Sequence, residues 1–261
     1  MKSDIKIIFV DIDWTILNHE IRDFDYESIE ALKRAQEKGI IVSLCTARPY
    51  DSVLGTGLLD IFTPDAIVCT NGAVVFYRDK LIYENCFSIE EVNKVIEVAN
   101  KYNLVVEFSS AKERWFNKEK DINVERYFSI FYEKFPLIRP YSNENITALL
   151  LFAPVELDEK LYVDFGNEFN LFRFFETAID VHTKPILKSQ GINALLDYLN
   201  IDKNNAMGIG DDDGDIPMFE AVKYSVVMGN GKETAKEKAC FLTKSINEHG
   251  VKAALVELEV I

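Results

Sequence analysis

The chain has 261 residues, with 29 Lys and Arg against 43 Asp and Glu and a formal charge of −14. That balance excludes a nucleic-acid backbone or an anionic membrane surface as the main partner, and a small anionic substrate would need a local cation. No segment approaches the roughly 18 uncharged apolar residues of a spanning helix, and Cys45, Cys69, Cys86 and Cys240 lack Cys-x-x-Cys spacing. A soluble, cytoplasmic protein with free thiols is expected. The length suits one large α/β domain, or an ordinary one carrying an insert.

The first element is an apolar run, Ile5 to Val10, of the kind that forms a strand buried on both faces of a parallel sheet. It ends in Asp11 and Asp13. Two positions apart on an extended chain, these acids project to one side beyond the strand's carboxyl end, where open α/β sheets hold ligands. Carboxylates so close repel unless a cation separates them or one is protonated, as in a site that handles phosphate with a hard metal ion. Taken alone, the pair fits an acidic turn equally well. The next residues predict a helix at Asp25–Lys38 stopped by Gly39, a buried strand at Ile40–Cys45, and Thr46 at its carboxyl end. A helical segment near 49–59 leads to a short strand at 66–69. Asn71 and Gly72 then stand between two apolar runs, a hairpin signal because both accept positive φ.

From about Leu81 the texture changes. Ser88 followed by Glu91 caps an amphipathic helix to Tyr102, after which come a strand near 104–108, a charged aromatic patch at 112–116 and a helix over 123–135. A strand at 146–152, a helix at 156–168 and a strand at 170–175 follow. This content describes an inserted, smaller α+β domain, placed at 83–183, while 1–82 and 184–261 form one discontinuous α/β core. Aromatic residues of the insert, among them Trp115, Phe116, Phe128, Phe172 and Phe174, read as core. The last third returns to the opening style. It holds a helix at 188–199, a strand at 206–209, the run GDDDGD at 210–215, a helix at 216–222, a strand at 224–228 and two further helical stretches.

Asp211, Asp212, Asp213 and Asp215 form a second acidic cluster after a strand, and such a cluster needs a cation or heavy solvation. A calcium-loop reading fails, since Ile216 and Val222 fall where glycine and the bidentate glutamate belong. A solvated turn stays open for this cluster alone. With Asp11 and Asp13 it weakens, because carboxyl ends of neighbouring parallel strands converge on one crevice.

Four elements in order, DIDWT at 11–15, Thr46 after a strand, Lys188 opening a helix and GDDDGD at 210–215, resemble the motifs of the haloacid dehalogenase superfamily of phosphohydrolases. TARP at 46–49, TNGA at 70–73, the eight-residue step from Asp180 to Lys188 and the large insert resemble its Cof-type subgroup. The resemblance spans the chain and implies a parallel-sheet, Rossmann-like core with an inserted α+β cap. It further implies a magnesium-dependent phosphatase for a small phosphorylated metabolite, a sugar phosphate or a cofactor or nucleotide phosphate. In that reading Asp11 is the nucleophile that becomes an aspartyl phosphate, and Asp13 is the acid and then the base, its pKa raised by neighbouring acids. Asp11, Asp211, Asp215 and the carbonyl of Asp13 hold magnesium, and Thr46 and Lys188 hold phosphate oxygens. Asn71 and Gly72 join the substrate site. A lysine at a helix N-terminus opposes the helix dipole, which makes sense if its partner is phosphate.

The chain departs from the family pattern at Trp14 and Ala47, where glycine is usual, and at Gly214, where asparagine often stands. Rival functions are a phosphomutase with the same intermediate, a receiver-like phospho-signalling module and a non-catalytic binder. No nucleic acid or membrane is expected as partner, and the chain is expected as a monomer or weak homo-oligomer.

Overall fold

The computed structural model describes residues 4–131 and 135–261. Within it the chain forms two compact units, one from the segment ending at Arg48 with Thr56–Tyr83 and Leu187–Ile261, the other from Pro49–Gly55 and Glu84–Ile186. No helix among the described residues is long and apolar enough to cross a membrane.

The first unit is built on an eight-stranded sheet in the spatial order Phe241–Leu242, Tyr224–Val227, Ala206–Gly210, Ile7–Val10, Ile41–Cys45, Ala66–Cys69, Val74–Tyr77, Lys80–Glu84. The first six strands pair in parallel, and Ala66–Cys69 pairs antiparallel with Val74–Tyr77. Ile7–Val10 lies in the middle with all four side chains buried, which is why its sequence shows no alternation. Ile7 and Phe9 pack with Ile192, Leu195, Met218 and Phe219 from helices Lys188–Leu199 and Ile216–Ala221. Helix Tyr26–Glu37 is capped by Asp25, whose carboxylate accepts from the Ser28 amide, and it packs against the terminal helix Gly250–Glu257. The helix read over 49–59 is two pieces, Tyr50–Gly55, which belongs to the second unit, and Leu58–Ile61, which belongs to the first, with Gly57 at φ 78° between them in sequence.

The second unit has its own six-stranded sheet, ordered Leu137–Ile138, Arg114–Phe116, Val105–Ser109, Ala148–Phe152, Ala178–His182, Asn170–Phe175. The alternation of the strands divides it into two apolar layers. Val106, Phe108, Leu149, Leu151 and Val181 pack with helices Ile89–Lys101 and Asp158–Phe165, whereas Val105, Phe116, Phe152 and Ala178 meet Val124 and Phe128 of helix Ile122–Phe131. Residues 132–134, the expected last turn of that helix, lie outside the described residues. Trp115, Phe116 and Phe128 are core, but Phe172 and Phe174 are exposed, correcting the expectation for those two. Both sit on Asn170–Phe175, the sheet's edge strand, which carries an irregular register between Arg173 and Phe175.

Helix Ile89–Lys101 starts with a full capping box. The Ser88 hydroxyl accepts from the Glu91 amide at 3.2 Å, and the Glu91 carboxylate accepts from the Ser88 amide at 2.6 Å. Ser88→Ala removes one of these bonds and is expected to lower the unit's unfolding free energy by about 1 kcal/mol in urea titration. An unchanged midpoint would show that the box adds no stability.

Candidate active site

The parallel register places the carboxyl ends of three adjacent strands side by side: Asp11 after Ile7–Val10, Thr46 after Ile41–Cys45, and Asp211 after Ala206–Gly210. Asp215 reaches back toward Asp211 from a short 3-10 turn, Asp213–Asp215. Its Oδ2 accepts from the backbone amides of Asp211 at 2.8 Å and Asp212 at 3.1 Å. Gly210 makes room for this, since a Cβ there would stand 2.3 Å from the Asp215 Cγ. The carboxylate oxygens of Asp11, Asp211 and Asp215 come within 4.8 Å of one another, all three residues being buried. Three hard oxygen donors at this separation fit a hard divalent ion such as magnesium. The other two acids of the run face outward. Asp213 is exposed and pairs with Thr234 and Lys232, so the solvated-turn reading holds for that part of the cluster only.

Lys188, the first residue of its helix, is buried with its Nζ 2.6 Å from Asp11 Oδ1 and 2.7 Å from Asp215 Oδ1. Burial disfavours its ammonium, but Asp11 and Asp215 outweigh that and keep the lysine charged. Burial pushes the Asp11 carboxyl well above the usual range against the attraction of Lys188, with Asp215 and Asp13 adding to the rise. Asp211 is pushed up to about 7 by burial, then by Asp215 and Asp212. Thr15 Oγ1 donates to Asp211 Oδ1 at 3.3 Å.

Asp13 has a different environment. Arg48 binds it as a fork, Nε to Oδ2 at 2.8 Å and Nη2 to Oδ1 at 2.7 Å, and His19 Nε2 lies 2.6 Å from Oδ1. Burial alone would raise the Asp13 carboxyl, but the hydrogen bonds from His19 and Arg48 and the Arg48 charge hold it well below the usual carboxylate range. The expected rise from neighbouring acids is therefore corrected: the Arg48 guanidinium and the His19 imidazole, both of the same unit, dominate at Asp13. Neither residue was singled out from the sequence. Arg48 stood inside the TARP run two residues after Thr46, whereas His19 carried no signal, since it belongs to a hairpin of two-residue strands, Leu17–Asn18 and Asp23–Phe24.

Thr46 is buried, its hydroxyl accepting from the Arg48 amide at 3.1 Å and its carbonyl from the Asn71 amide at 3.1 Å. Asn71 (φ 52°) and Gly72 (φ 95°) make the expected turn, joined by Thr70 (φ 51°) in a loop before Val74–Tyr77. Gly72 also lies against the helix that carries Lys188, where a Cβ would come within 2.3 Å of the Leu187 carbonyl oxygen and 2.9 Å of the Lys188 Cα. Of the three departures from the pattern, Trp14 adopts φ 58°, a left-handed conformation that costs a non-glycine residue on the order of 1 kcal/mol. Gly214 donates its amide to Asp212 Oδ1 at 2.7 Å, and Asp215 is oriented by amides rather than by a side chain at 214. Nothing in the structure explains Ala47.

Acids at the ends of neighbouring parallel strands, with a buried lysine between them, define an open, parallel-sheet α/β core with a charged site at the carboxyl edge of the sheet. Residues 8–255 match the haloacid dehalogenase-like hydrolase family Hydrolase_3, and the chain belongs to that family. Phosphoglycolate phosphatase 1 of Saccharolobus solfataricus is 26% identical, the match covering 95% of this chain and 93% of that one. The crystal structure of a hypothetical protein from Geobacillus kaustophilus HTA426 superposes with a TM-score of 0.91 at 28% identity, over 98% of this chain and 100% of that one. The subclass IIB sugar phosphatase BT4131 shares the fold with a TM-score of 0.78 at 23% identity, over 98% and 100% of the two chains.

The packing of Gly72 gives a direct test of how Lys188 is seated. Gly72→Ala adds a methyl group against a backbone that cannot yield, at a φ unfavourable for alanine. It is expected to destabilise the protein by roughly 2–4 kcal/mol in urea titration. Wild-type stability would show that the Leu187–Lys188 backbone is not held by this contact.

Proposed function

We propose that this hydrolase is a magnesium-dependent phosphatase acting on a small phosphorylated metabolite, a sugar phosphate or a cofactor or nucleotide phosphate, through an aspartyl phosphate. The observation that carries the reading is the buried Asp11 carboxylate, met by the Lys188 ammonium and gathered with Asp211 and Asp215. Asp11 attacks phosphorus while the ester P–O bond breaks, and the leaving oxygen takes a proton from Asp13. Water then attacks the phosphorus, gives its proton to Asp13 and releases phosphate and Asp11. Asp13 starts out held down by Arg48 and His19. A phosphate dianion arriving beside it acts in the opposite sense, raising its proton affinity. Thr46 and Lys188 hold phosphate oxygens. Asp11, Asp211 and Asp215, with the Asp13 carbonyl, would hold magnesium, whose charge would offset the repulsion between an anionic nucleophile and an anionic phosphate.

Residues 83–183 are taken as a cap that sets selectivity, with Asn71 and Gly72 near the substrate. Four free cysteines accord with a reducing, cytoplasmic setting. Phosphate release from a panel of sugar, nucleotide and cofactor phosphates tests the activity and separates hydrolysis from transfer back to substrate.

Hydrolysis of p-nitrophenyl phosphate is expected to require magnesium and to collapse in Asp215→Ala, because a ligand is lost. Full activity in excess chelator would remove the metal from the reading. In Asp13→Asn the first step with this substrate is expected to survive, since p-nitrophenolate leaves without a proton, while hydrolysis of the aspartyl phosphate slows. Rapid mixing should then give a burst of about one p-nitrophenol per enzyme followed by slow turnover, with phosphate on Asp11 by mass spectrometry. A burst of equal size in Asp11→Asn would overturn the choice of nucleophile.

A further inference from the structure

Trp14, which departs from the family pattern directly after Asp13, and His19, which binds the Asp13 carboxyl group, are in contact with each other. The Trp14 and His19 rings lie 5.2 Å apart between centroids with planes tilted at 48°. His19 delivers its Nε2 to Asp13 Oδ1, the same oxygen that takes Arg48 Nη2. The segment presenting both rings is tied down along its length. The Trp14 amide donates to the Leu17 carbonyl at 2.9 Å, and Asn230 Nδ2 donates to the Trp14 carbonyl at 2.9 Å. Asn18, buried, donates from Nδ2 to Asn247 Oδ1 at 2.6 Å and accepts from the Glu20 amide at 3.0 Å. The backbone on either side of His19 is thus anchored through Asn18, and its ring meets that of Trp14.

We propose that Trp14 and His19 form a positioning pair in this chain: the indole props the imidazole, and the imidazole fixes the rotation of the Asp13 carboxyl group. The Arg48 fork sets the plane of the carboxyl group from one side. The imidazole adds a third contact from a separate, anchored segment, so that Asp13 meets both the leaving oxygen and the later water from one position. This explains why a bulky residue occupies the left-handed position after Asp13, where its ring reaches His19. The backbone turn itself needs only glycine. The inference rests on the proposed acid–base role of Asp13. His19 is a positioning residue that acts through that carboxyl group and touches no reacting atom.

The test compares wild type, His19→Ala, His19→Gln, Trp14→Leu, the double variant Trp14→Leu/His19→Ala and Asp13→Asn in rapid-mixing kinetics with p-nitrophenyl phosphate. Thermal unfolding is followed for each to establish that it folds. A misplaced Asp13 should leave the burst rate near wild type and slow the steady state by roughly tenfold or more in His19→Ala. Gln keeps an N–H donor near the place of Nε2 and should recover the rate to within about threefold of wild type. If the indole acts through the imidazole, the double variant should be no slower than His19→Ala alone. Wild-type turnover in His19→Ala, or equal slowing of burst and steady state, would overturn the role of His19, and multiplicative losses in the double variant would overturn the pairing with Trp14. Asp13→Asn separates the two levels. If it turns over without a slowed second step, the acid–base reading and this inference fall together, whereas a burst there with wild-type behaviour in His19→Ala removes the inference alone.

Discussion

Three carboxylates within 4.8 Å of one another, out of water, repel strongly, and the Lys188 ammonium is the cation that the protein itself sets against them. Much of the surrounding construction serves that balance. Lys188 can reach Asp11 and Asp215 because its helix comes down onto the Gly72 turn, where any side chain would block the approach. Asp215 can lie flat against the sheet because residue 210 has no Cβ, and two backbone amides take up its second oxygen. The site is thus held by close backbone contacts rather than by long flexible side chains, which suits chemistry that depends on placement.

Two aspartates two positions apart come to opposite electrostatic fates. Asp11 sits among acids in a dry interior and is pushed up, while Asp13, at the half-exposed start of a turn, is pulled down by Arg48 and His19. Environments that separate paired carboxyl groups let one short motif hold two identical side chains at different proton affinities. Here the dividing agents come from two different places in the chain, the loop after Ile41–Cys45 and the small hairpin after Trp14.

Long, uniformly buried or strongly capped elements were legible in the sequence. Ile7–Val10 has no polar residue to place, and Ser88 with Glu91 marks a helix start through the hydrogen bonds seen at that position. What could not be read depended on neighbours remote in sequence. Ala178–His182 carries Asp180 and His182 and looks polar, yet it is an interior strand because Ala148–Phe152 and Asn170–Phe175 flank it. Phe172 and Phe174 look like core and are exposed, since their strand has only one neighbour. The acids Asp11, Asp211 and Asp215 announced themselves through their spacing after apolar runs. Arg48 and His19 did not, because a single arginine or histidine in a loop has meaning only once its carboxylate partner is known.

The order of strands in the first sheet also bears on how the chain acquires this site during synthesis. Ile7–Val10, made near the start, pairs on one side with Ile41–Cys45 and on the other with Ala206–Gly210. Until the later strand emerges, one edge of the most apolar strand stays open, and Asp11 waits for a lysine 177 positions further on. Closing so distant a pairing is slow and leaves a sticky intermediate exposed. The second unit, whose strands pair only among themselves, is synthesised whole within that interval. A nascent chain therefore carries a finished insert on an unfinished core, and its exposure to aggregation or to chaperones is set by the time needed to reach residue 210.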